Sequence, residues 1–234
     1  MRYILKNPSP QAFEDWKTAR NPILWYPRKG YPKRSLREAL LKEQGHLCCY
    51  CQQRVENVES TVIEHIFPRN GEDKALGRDK MFEYENLLAC CNGGSKANRE
   101  RNIEEPDTPS YPEYCDRSKK KKLLPLSPLQ PEVETRLTYS RVDDEVRIEP
   151  VGEDLEASES IESILNLNTP FLKKRRGEAI DGLIFNDIEM LEPISAIEAT
   201  QILAVFSQAE DDGVEHLPEF FSVKMHFLRL FSGH

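Results

Sequence analysis

The sequence contains no apolar run that approaches the roughly 20 residues a membrane-spanning helix needs. Residues 1–8 also lack the apolar segment of a secretory signal. These absences argue against a membrane protein and predict a cytoplasmic location. In a reducing compartment, the six cysteines are expected to bind metal rather than to form disulfides.

Basic residues are scarce in the carboxy-terminal part of the chain. From Gly177 onward there are two basic and eleven acidic residues, a local net charge of −9, while the whole chain has a net charge of −8. Residues 1–45 have ten basic and four acidic residues, a local net charge of +6. This asymmetry predicts an amino-terminal half that faces a polyanion and a carboxy-terminal half with another role. Two ordinary solvated surfaces are the alternative.

A helix is predicted to begin at Ser35, because Glu38 follows three residues later as in a capping box, and to end at Gly45. Its arginines and lysines, with Arg28 and Lys29 just before it, are candidates to line a nucleic-acid groove. The alternative is an amphipathic helix that packs beneath a metal site and keeps its charges in water.

The cysteines occur in two groups. Cys48 and Cys51 are separated by two residues, the spacing with which a tight turn directs two thiolates at one tetrahedral ion. Cys90, Cys91 and Cys115 could complete the set. Buried cysteines without a metal are the alternative.

Between the two groups, the β-branched and apolar residues of 61–68 predict a short strand that ends at Pro68. This strand contains Glu64 and His65. A neutral imidazole can take a proton from water, and a neighbouring carboxylate can bind a hard divalent cation. A hydrogen-bonded core histidine is the alternative interpretation.

Read in order, these motifs resemble the HNH endonucleases, whose ββα-metal centre is supported by a zinc knuckle. The motifs are Cys-x-x-Cys, Glu-His-Ile-x-Pro, Asn-Leu-x-x-x-Cys and Cys-Asp-x-x-Lys. In that family an Asn precedes the third zinc cysteine by five residues, which with Asn86 selects Cys91 over Cys90. The fourth cysteine directly precedes the last motif residue, which selects Cys115.

The 23 residues between Cys91 and Cys115 differ from the second Cys-x-x-Cys of many HNH proteins. With the opening Ile4-x-Lys6-x-Pro8 and the run Ile161-x-x-Ile164-Leu165, they make the chain similar to the HNH subunit of Septu anti-phage systems (PtuB-like) and to HNH nucleases that accompany retrons.

The resemblance implies a role for each motif residue. His65 would be the general base, Glu64 and Asp116 would hold a catalytic Mg²⁺ or Mn²⁺, and Asn86 would fix the loop that carries His65. Lys119 would offset charge on the phosphate. The basic run Lys119-Lys120-Lys121-Lys122 is expected to continue a helix that begins near Cys115 and to contact phosphate. Four thiolates favour a structural Zn²⁺ that leaves no open position, at Cys48, Cys51, Cys91 and Cys115.

The sequence therefore predicts an α+β, predominantly helical protein with three segments. These are a basic helical segment at 1–45, a ββα-metal core at 46–150 with an insertion at 92–114, and an acidic helical module for partner contact at 151–234. By resemblance, the partners are nucleic acid, with DNA favoured over RNA, an ABC-type ATPase (PtuA-like) of the same defence operon, and a retron reverse transcriptase with its RNA–DNA product. An RNA-cleaving toxin nuclease and a catalytically silent zinc-stabilised binding module are the alternatives.

Overall fold

A computed structural model describes residues 1–22, 30–55, 58–104, 109–187, 192–211 and 216–233. Over these residues the predicted α+β class is confirmed, with about half of the chain helical and with two-stranded antiparallel sheets. The helices are α1 (Gln11–Arg20), α2 (Lys33–Glu43), α3 (Lys74–Asp79), α4 (Ser95–Glu104), α5 (Asp116–Lys119), α6 (Leu155–Ser158), α7 (Pro170–Ile184), α8 (Ala196–Asp211) and α9 (Phe221–Ser232). The strands are β1 (Val62–His65), β2 (Leu87–Cys90), β3 (Leu137–Val142), β4 (Glu145–Pro150), β5 (Phe185–Asp187) and β6 (Glu192–Pro193).

Shorter helical turns connect these elements. They are 3₁₀ turns at Val58–Ser60, Lys80–Phe82, Tyr84–Asn86 and Pro131–Glu134, and a π-helical turn at Glu159–Ile164. Of the helices in the described ranges, none combines the length and apolar character that a membrane crossing requires.

Helix α2 begins earlier than the sequence pattern predicts. Pro32 occupies its N-cap position, and Ser35 lies inside the helix, where its hydroxyl donates to the Pro32 carbonyl at 3.1 Å. Glu38 accepts from Arg34 at 2.9 Å instead of capping the helix. The prediction of Ser35 as the cap is therefore wrong, because the helix starts directly after a proline, whose fixed φ directs the chain into the first turn.

Strands β1 and β2 form an antiparallel pair with Val62 opposite Cys90 and His65 opposite Leu87. All four residues of β2 are buried, and the fully buried Leu36, Leu40 and Leu41 give α2 an apolar face that packs near β2. Leu36 and Leu40 lie four residues apart, about one turn, with Leu41 beside Leu40, which is the pattern of a helix with one buried face. The hairpin is thus held on the core, and its long connection runs back through α3.

Helix α5 is one turn long and ends at Lys119. Lys120 has a φ of 54°, in the left-handed region, so the backbone turns away there. The predicted helical continuation through Lys122 is wrong, because a residue with that φ cannot extend a right-handed helix. The turn nevertheless leaves Lys120 and Lys121 exposed beside α5.

The carboxy-terminal helices pack against the cysteine-bearing loops. The backbone N–H of Phe220 donates to the Gln52 carbonyl at 2.9 Å, and the N–H of Cys115 donates to the Leu165 carbonyl at 2.9 Å. The largest hydrophobic core includes buried residues from each of the three predicted segments, among them Phe13, Leu88 and Leu172. The division into three segments remains a prediction, but the segments share this core.

Candidate active site and metal centre

Four cysteines converge on one point. The Sγ atoms of Cys48, Cys51, Cys91 and Cys115 all lie within 4.8 Å of one another. The Cys48–Cys115 and Cys51–Cys91 Sγ distances are 3.9 and 3.8 Å. Tetrahedral Zn–S bonds of about 2.3 Å place sulfur atoms about 3.8 Å apart. The cluster therefore fits a structural zinc ion.

Local backbone geometry builds this cluster. The Cys48–Cys51 turn is closed by Gln52, whose N–H donates to the Cys48 carbonyl at 3.1 Å and whose φ is 63°. The N–H of Cys49 donates to the Ala89 carbonyl at 3.0 Å, which fixes the turn on β2.

The other two cysteines lie close to the cluster without completing its four-membered set. Cys49 and Cys90 are buried and form a group of three with Cys48, and the Cys90 Sγ is 3.6 Å from the Cys48 Sγ. Burial raises the pKa of both Cys49 and Cys90 well above the ordinary value of a thiol. In contrast, a hydrogen bond with Cys115 lowers the pKa of Cys91 to about 6. Burial raises the pKa of Cys51 and Cys115 in the same way, so it is the convergence of the four Sγ atoms that favours Cys91 over Cys90.

Glu64 is almost fully buried at the end of β1. Its Oε1 accepts a hydrogen bond from the Tyr50 hydroxyl at 2.9 Å and lies 2.7 Å from the Lys119 Nζ. The pKa of Glu64 is raised to about 8, chiefly by burial and also by a hydrogen bond with the Asp116 carboxyl, against the opposing effect of Lys119. Two carboxyls in contact repel each other once both are ionised, unless a cation lies between them. The pair is a donor set of hard oxygens, which fits Mg²⁺ or Mn²⁺.

His65 lies next to Glu64, with its ring held by the loop that follows β1. The Nε2 atom is 3.1 Å from the Met81 carbonyl oxygen. Since a carbonyl oxygen only accepts, Nε2 carries the proton of the neutral ring and Nδ1 has the lone pair.

Asn86 braces the same loop through three hydrogen bonds. Its Oδ1 accepts from the Phe67 N–H at 2.7 Å, and its Nδ2 donates to the carbonyls of Phe67 and Lys80 at 3.1 and 3.0 Å. The amide thus closes the connection between β1 and β2 two residues after His65. These bonds use both ends of the amide, which a titrating carboxylate could not do.

Lys119 lies elsewhere than the sequence leads one to expect. Its side chain is 1% exposed, and Nζ donates to the His65 carbonyl at 2.9 Å as well as pairing with Glu64. The amine is thus already satisfied inside the protein. This position differs from the expected phosphate contact, because a buried and paired ammonium is not presented to a bound phosphate.

A cleft of about 360 Å³ opens over the two carboxyls and the histidine. Glu64, His65 and Asp116 line it together. The basic side chains that line the cleft are Lys33, Arg37, Arg69, Lys120 and Lys121. Residues from α2, from the loop after β1 and from the end of α5 therefore give one concave surface a positive rim.

Sequence reasoning finds most of these residues but misses Tyr50. Its position between Cys48 and Cys51 is the available signal, because an aromatic side chain with a polar tip inside a metal-binding turn needs a partner for its hydroxyl once it is buried. Arg28 and Lys29, which were expected to line a groove with α2, lie outside the described residues.

Comparison with protein-family models gives no match. A curated relative from Vibrio cholerae serotype O1 biovar El Tor, named "Retron Vc95 putative HNH endonuclease", is 27% identical over 157 residues. The alignment covers 65% of this chain and 67% of the relative. This similarity confirms the resemblance to retron-associated HNH endonucleases, and it supports a nuclease as the class of protein.

Proposed function

We propose that the protein is a metal-dependent endonuclease of the HNH type that hydrolyses phosphodiester bonds of nucleic acid. The observation that carries the proposal is the convergence of Glu64, His65 and Asp116 in one positively lined cleft. Strands β1 and β2 with α5 would form its ββα-metal core, and the four-cysteine cluster would support that core with zinc. The similarity to a relative named as an HNH endonuclease supports the same conclusion.

The residues divide the chemistry between them. His65 removes a proton from the attacking water through Nδ1, while its Nε2–H stays on the Met81 carbonyl. Glu64 and Asp116 would hold a divalent cation, Mg²⁺ or Mn²⁺, which would supply positive charge to stabilise the phosphate and the leaving oxygen. Asn86 keeps the His65 loop at a fixed distance from the carboxyls, since it bonds the backbone on both sides of that loop.

The basic rim of the cleft binds the sugar-phosphate backbone. Lysine and arginine side chains contact phosphates without reading the base sequence. We propose DNA as the substrate, and RNA is the alternative that the experiment separates.

The test is cleavage of end-labelled DNA and RNA by the purified protein with Mg²⁺ or Mn²⁺. We expect His65→Ala to retain zinc and nucleic-acid binding but to lose cleavage by roughly 10²-fold or more, the contribution of a general base. The variant purified in parallel also controls for contaminating nuclease, which would cut equally in both preparations. Equal cleavage by the variant and the wild type, with contamination excluded, would refute the mechanism.

We also propose that the protein acts in anti-phage defence with an ABC-type ATPase, and in a retron context with a reverse transcriptase and its RNA–DNA product. The relative's name supports the retron context. The acidic segment from Gly177 onward supports protein contact, because it would repel a phosphate backbone. Co-purification of the tagged protein with each operon product tests these partners, and a stable complex with the ATPase is expected.

A zinc-stabilised binding module without catalysis is the second candidate function. One observation favours it: Glu64 Oε1 already carries the Tyr50 hydroxyl and the Lys119 amine. Such a module would bind nucleic acid with unchanged affinity in His65→Ala and would cut neither DNA nor RNA with any divalent cation, alone or with its partner.

A further inference from the structure

We propose that Tyr50 is a positioning residue that orients Glu64 for cation binding. The inference rests on the proposed function, because it concerns the carboxylate that holds the catalytic cation. It assigns a second task to the cysteine-bearing turn, which contributes a side chain to the nuclease centre as well as ligands for zinc.

The position of Tyr50 is restrained by its place in the chain as well as by the contacts of its side chain. It lies between Cys48 and Cys51, whose thiols both belong to the four-cysteine cluster. Its ring is among the largest fully buried side chains, with 1% of the residue exposed. A buried aromatic ring with both flanks of its backbone held can occupy only a narrow range of positions.

The Tyr50 hydroxyl reaches one defined atom of the cleft. It donates to Oε1 of Glu64 at 2.9 Å, and the Lys119 Nζ lies 2.7 Å from that same oxygen. Two donors on Oε1 restrict the rotation of a side chain that is one methylene longer than aspartate. Glu64 also hydrogen-bonds the Asp116 carboxyl, and a cation would take the place of the proton that the two carboxyls share.

Tyr50 and Lys119 differ in what they do to the carboxylate. The Lys119 ammonium cancels negative charge that a cation would use, whereas a neutral phenol orients the carboxylate and leaves its charge in place. Orientation without charge cancellation is what a positioning residue for a metal ligand must provide.

The test uses Tyr50→Phe in the full-length, zinc-loaded protein. Mn²⁺ affinity is measured by electron paramagnetic resonance, and cleavage is measured over a range of Mn²⁺ concentrations. We expect stoichiometric zinc and a melting temperature close to that of the wild type. Mn²⁺ binding should be about tenfold weaker, the effect of one lost hydrogen bond to a charged group. The cleavage rate should recover at high Mn²⁺ concentration, which a general packing defect would not allow.

Tyr84→Phe is the matched control. Tyr84 is equally buried, and its hydroxyl donates to Glu43 Oε2 at 3.0 Å, which makes it a second buried Tyr–Glu pair away from the cleft lining. Removal of the Tyr84 hydroxyl should leave the Mn²⁺ affinity unchanged.

Unchanged Mn²⁺ affinity in Tyr50→Phe would overturn the proposal, and so would loss of zinc in that variant, which would assign the hydroxyl to the cysteine cluster. Failure of the proposed function gives a different pattern, in which His65→Ala cuts as well as the wild type while Tyr50→Phe still weakens Mn²⁺ binding. Glu64→Gln establishes that the measured Mn²⁺ site is the carboxylate site. If Glu64→Gln binds Mn²⁺ normally, both ideas fail.

Discussion

Burial determines what the ionisable side chains around the cleft can do. Glu64 and Lys119 have side chains that are 5% and 1% exposed, and each satisfies the other. Removing one partner of a buried ion pair leaves an uncompensated charge, which is far more costly than losing a surface pair. The Glu64–Lys119 pair in the cleft therefore also contributes to the stability of the fold, and mutation can separate this contribution from the proposed role in catalysis.

Lys119→Ala should destabilise the protein even without nucleic acid. We expect a loss of about 1–3 kcal/mol in the free energy of unfolding, because the His65 carbonyl loses its buried donor and the Glu64 carboxyl, whose pKa is already raised to about 8, loses its partner and stays protonated. Mn²⁺ should restore part of this loss, since a cation can replace the ammonium. Urea unfolding with and without Mn²⁺ measures both effects.

Lys121→Ala removes an exposed cleft lysine and is the control, with an expected change within about 0.5 kcal/mol. An unfolding curve for Lys119→Ala that matches the control would show that the amine is not a structural partner of Glu64.

The six cysteines should fall into two classes when changed singly to serine. Cys48, Cys51, Cys91 and Cys115 variants should lose zinc and the folded centre, because structural zinc contributes on the order of 10 kcal/mol in small metal-folded units. The Cys49→Ser and Cys90→Ser variants should keep both the zinc and the folded centre. Metal analysis by mass spectrometry of the six variants is the measurement. Stoichiometric zinc in Cys115→Ser would remove the assignment of the fourth ligand.

At the scale of secondary-structure elements, α2 has two functions on two faces. Leu36, Leu40 and Leu41 bury its apolar face, while Lys33 and Arg37 line the cleft. The buried leucines agree with the amphipathic interpretation of this helix, although Arg37 is buried instead of facing water, and the nucleic-acid groove stays a prediction. Arg34 lies on neither face and is paired with Glu38.

Lys33→Ala combined with Lys121→Ala should weaken nucleic-acid binding and flatten its salt dependence, because both lysines line the cleft and are exposed. Each lost phosphate contact lowers the slope of log K against log salt by about 0.9 on duplex DNA, so the slope should fall by up to about 2. Salt-titrated fluorescence anisotropy is the measurement. Arg34→Ala combined with Lys42→Ala makes the same charge change on α2, away from the cleft lining, so its slope should stay near that of the wild type. Equal slopes for the two double variants would place the nucleic acid elsewhere.

Helix α3 supports the His65 loop through a close approach of backbones. A Cβ at Gly77 would lie 2.6 Å from the Pro68 carbonyl oxygen and 2.7 Å from that of Arg69. No side chain fits there without moving the loop.

Gly77→Ala should therefore destabilise the protein by about 1–3 kcal/mol through overpacking, and it should reduce cleavage. Gly182→Ala in α7 has open space around the added methyl and should stabilise by up to about 1 kcal/mol, the helix propensity difference. Thermal melting of both variants is the measurement. A stabilised Gly77→Ala protein would mean that α3 and the loop are loosely packed.

Over the whole molecule, the cysteine cluster is joined to the carboxy-terminal helices. Gln52 donates from Nε2 to the Ser222 hydroxyl at 2.7 Å and accepts from the Ser222 N–H at 2.9 Å. The Leu217 N–H donates to the Gly45 carbonyl at 3.1 Å. The acidic carboxy-terminal segment is thus packed on the proposed nuclease core, whatever further partner it binds.

Removing zinc with a thiol-competing chelator should consequently loosen more than the cysteine loops. We expect faster hydrogen exchange in the first turn of α9 and near Leu165 as well as at 48–51, because those segments bond to the backbone beside the ligands. Added zinc should reverse the change. Exchange that rises only at the cysteine loops would show that the two parts of the molecule are energetically independent.

The sequence by itself determined which chemical groups the proposed site contains, but it determined less about where those groups lie in space. The spacing of Cys48 and Cys51, the adjacent Glu64 and His65, and the order of Asn86, Cys91 and Cys115 are local patterns, and the structure brings the four cysteines together as those patterns predict. Only the tertiary structure placed the Lys119 amine on Glu64, turned the chain at Lys120 and directed the Tyr50 hydroxyl into the centre. These features depend on close packing between segments that are distant in sequence, and side-chain periodicity along one segment contains no information about such contacts.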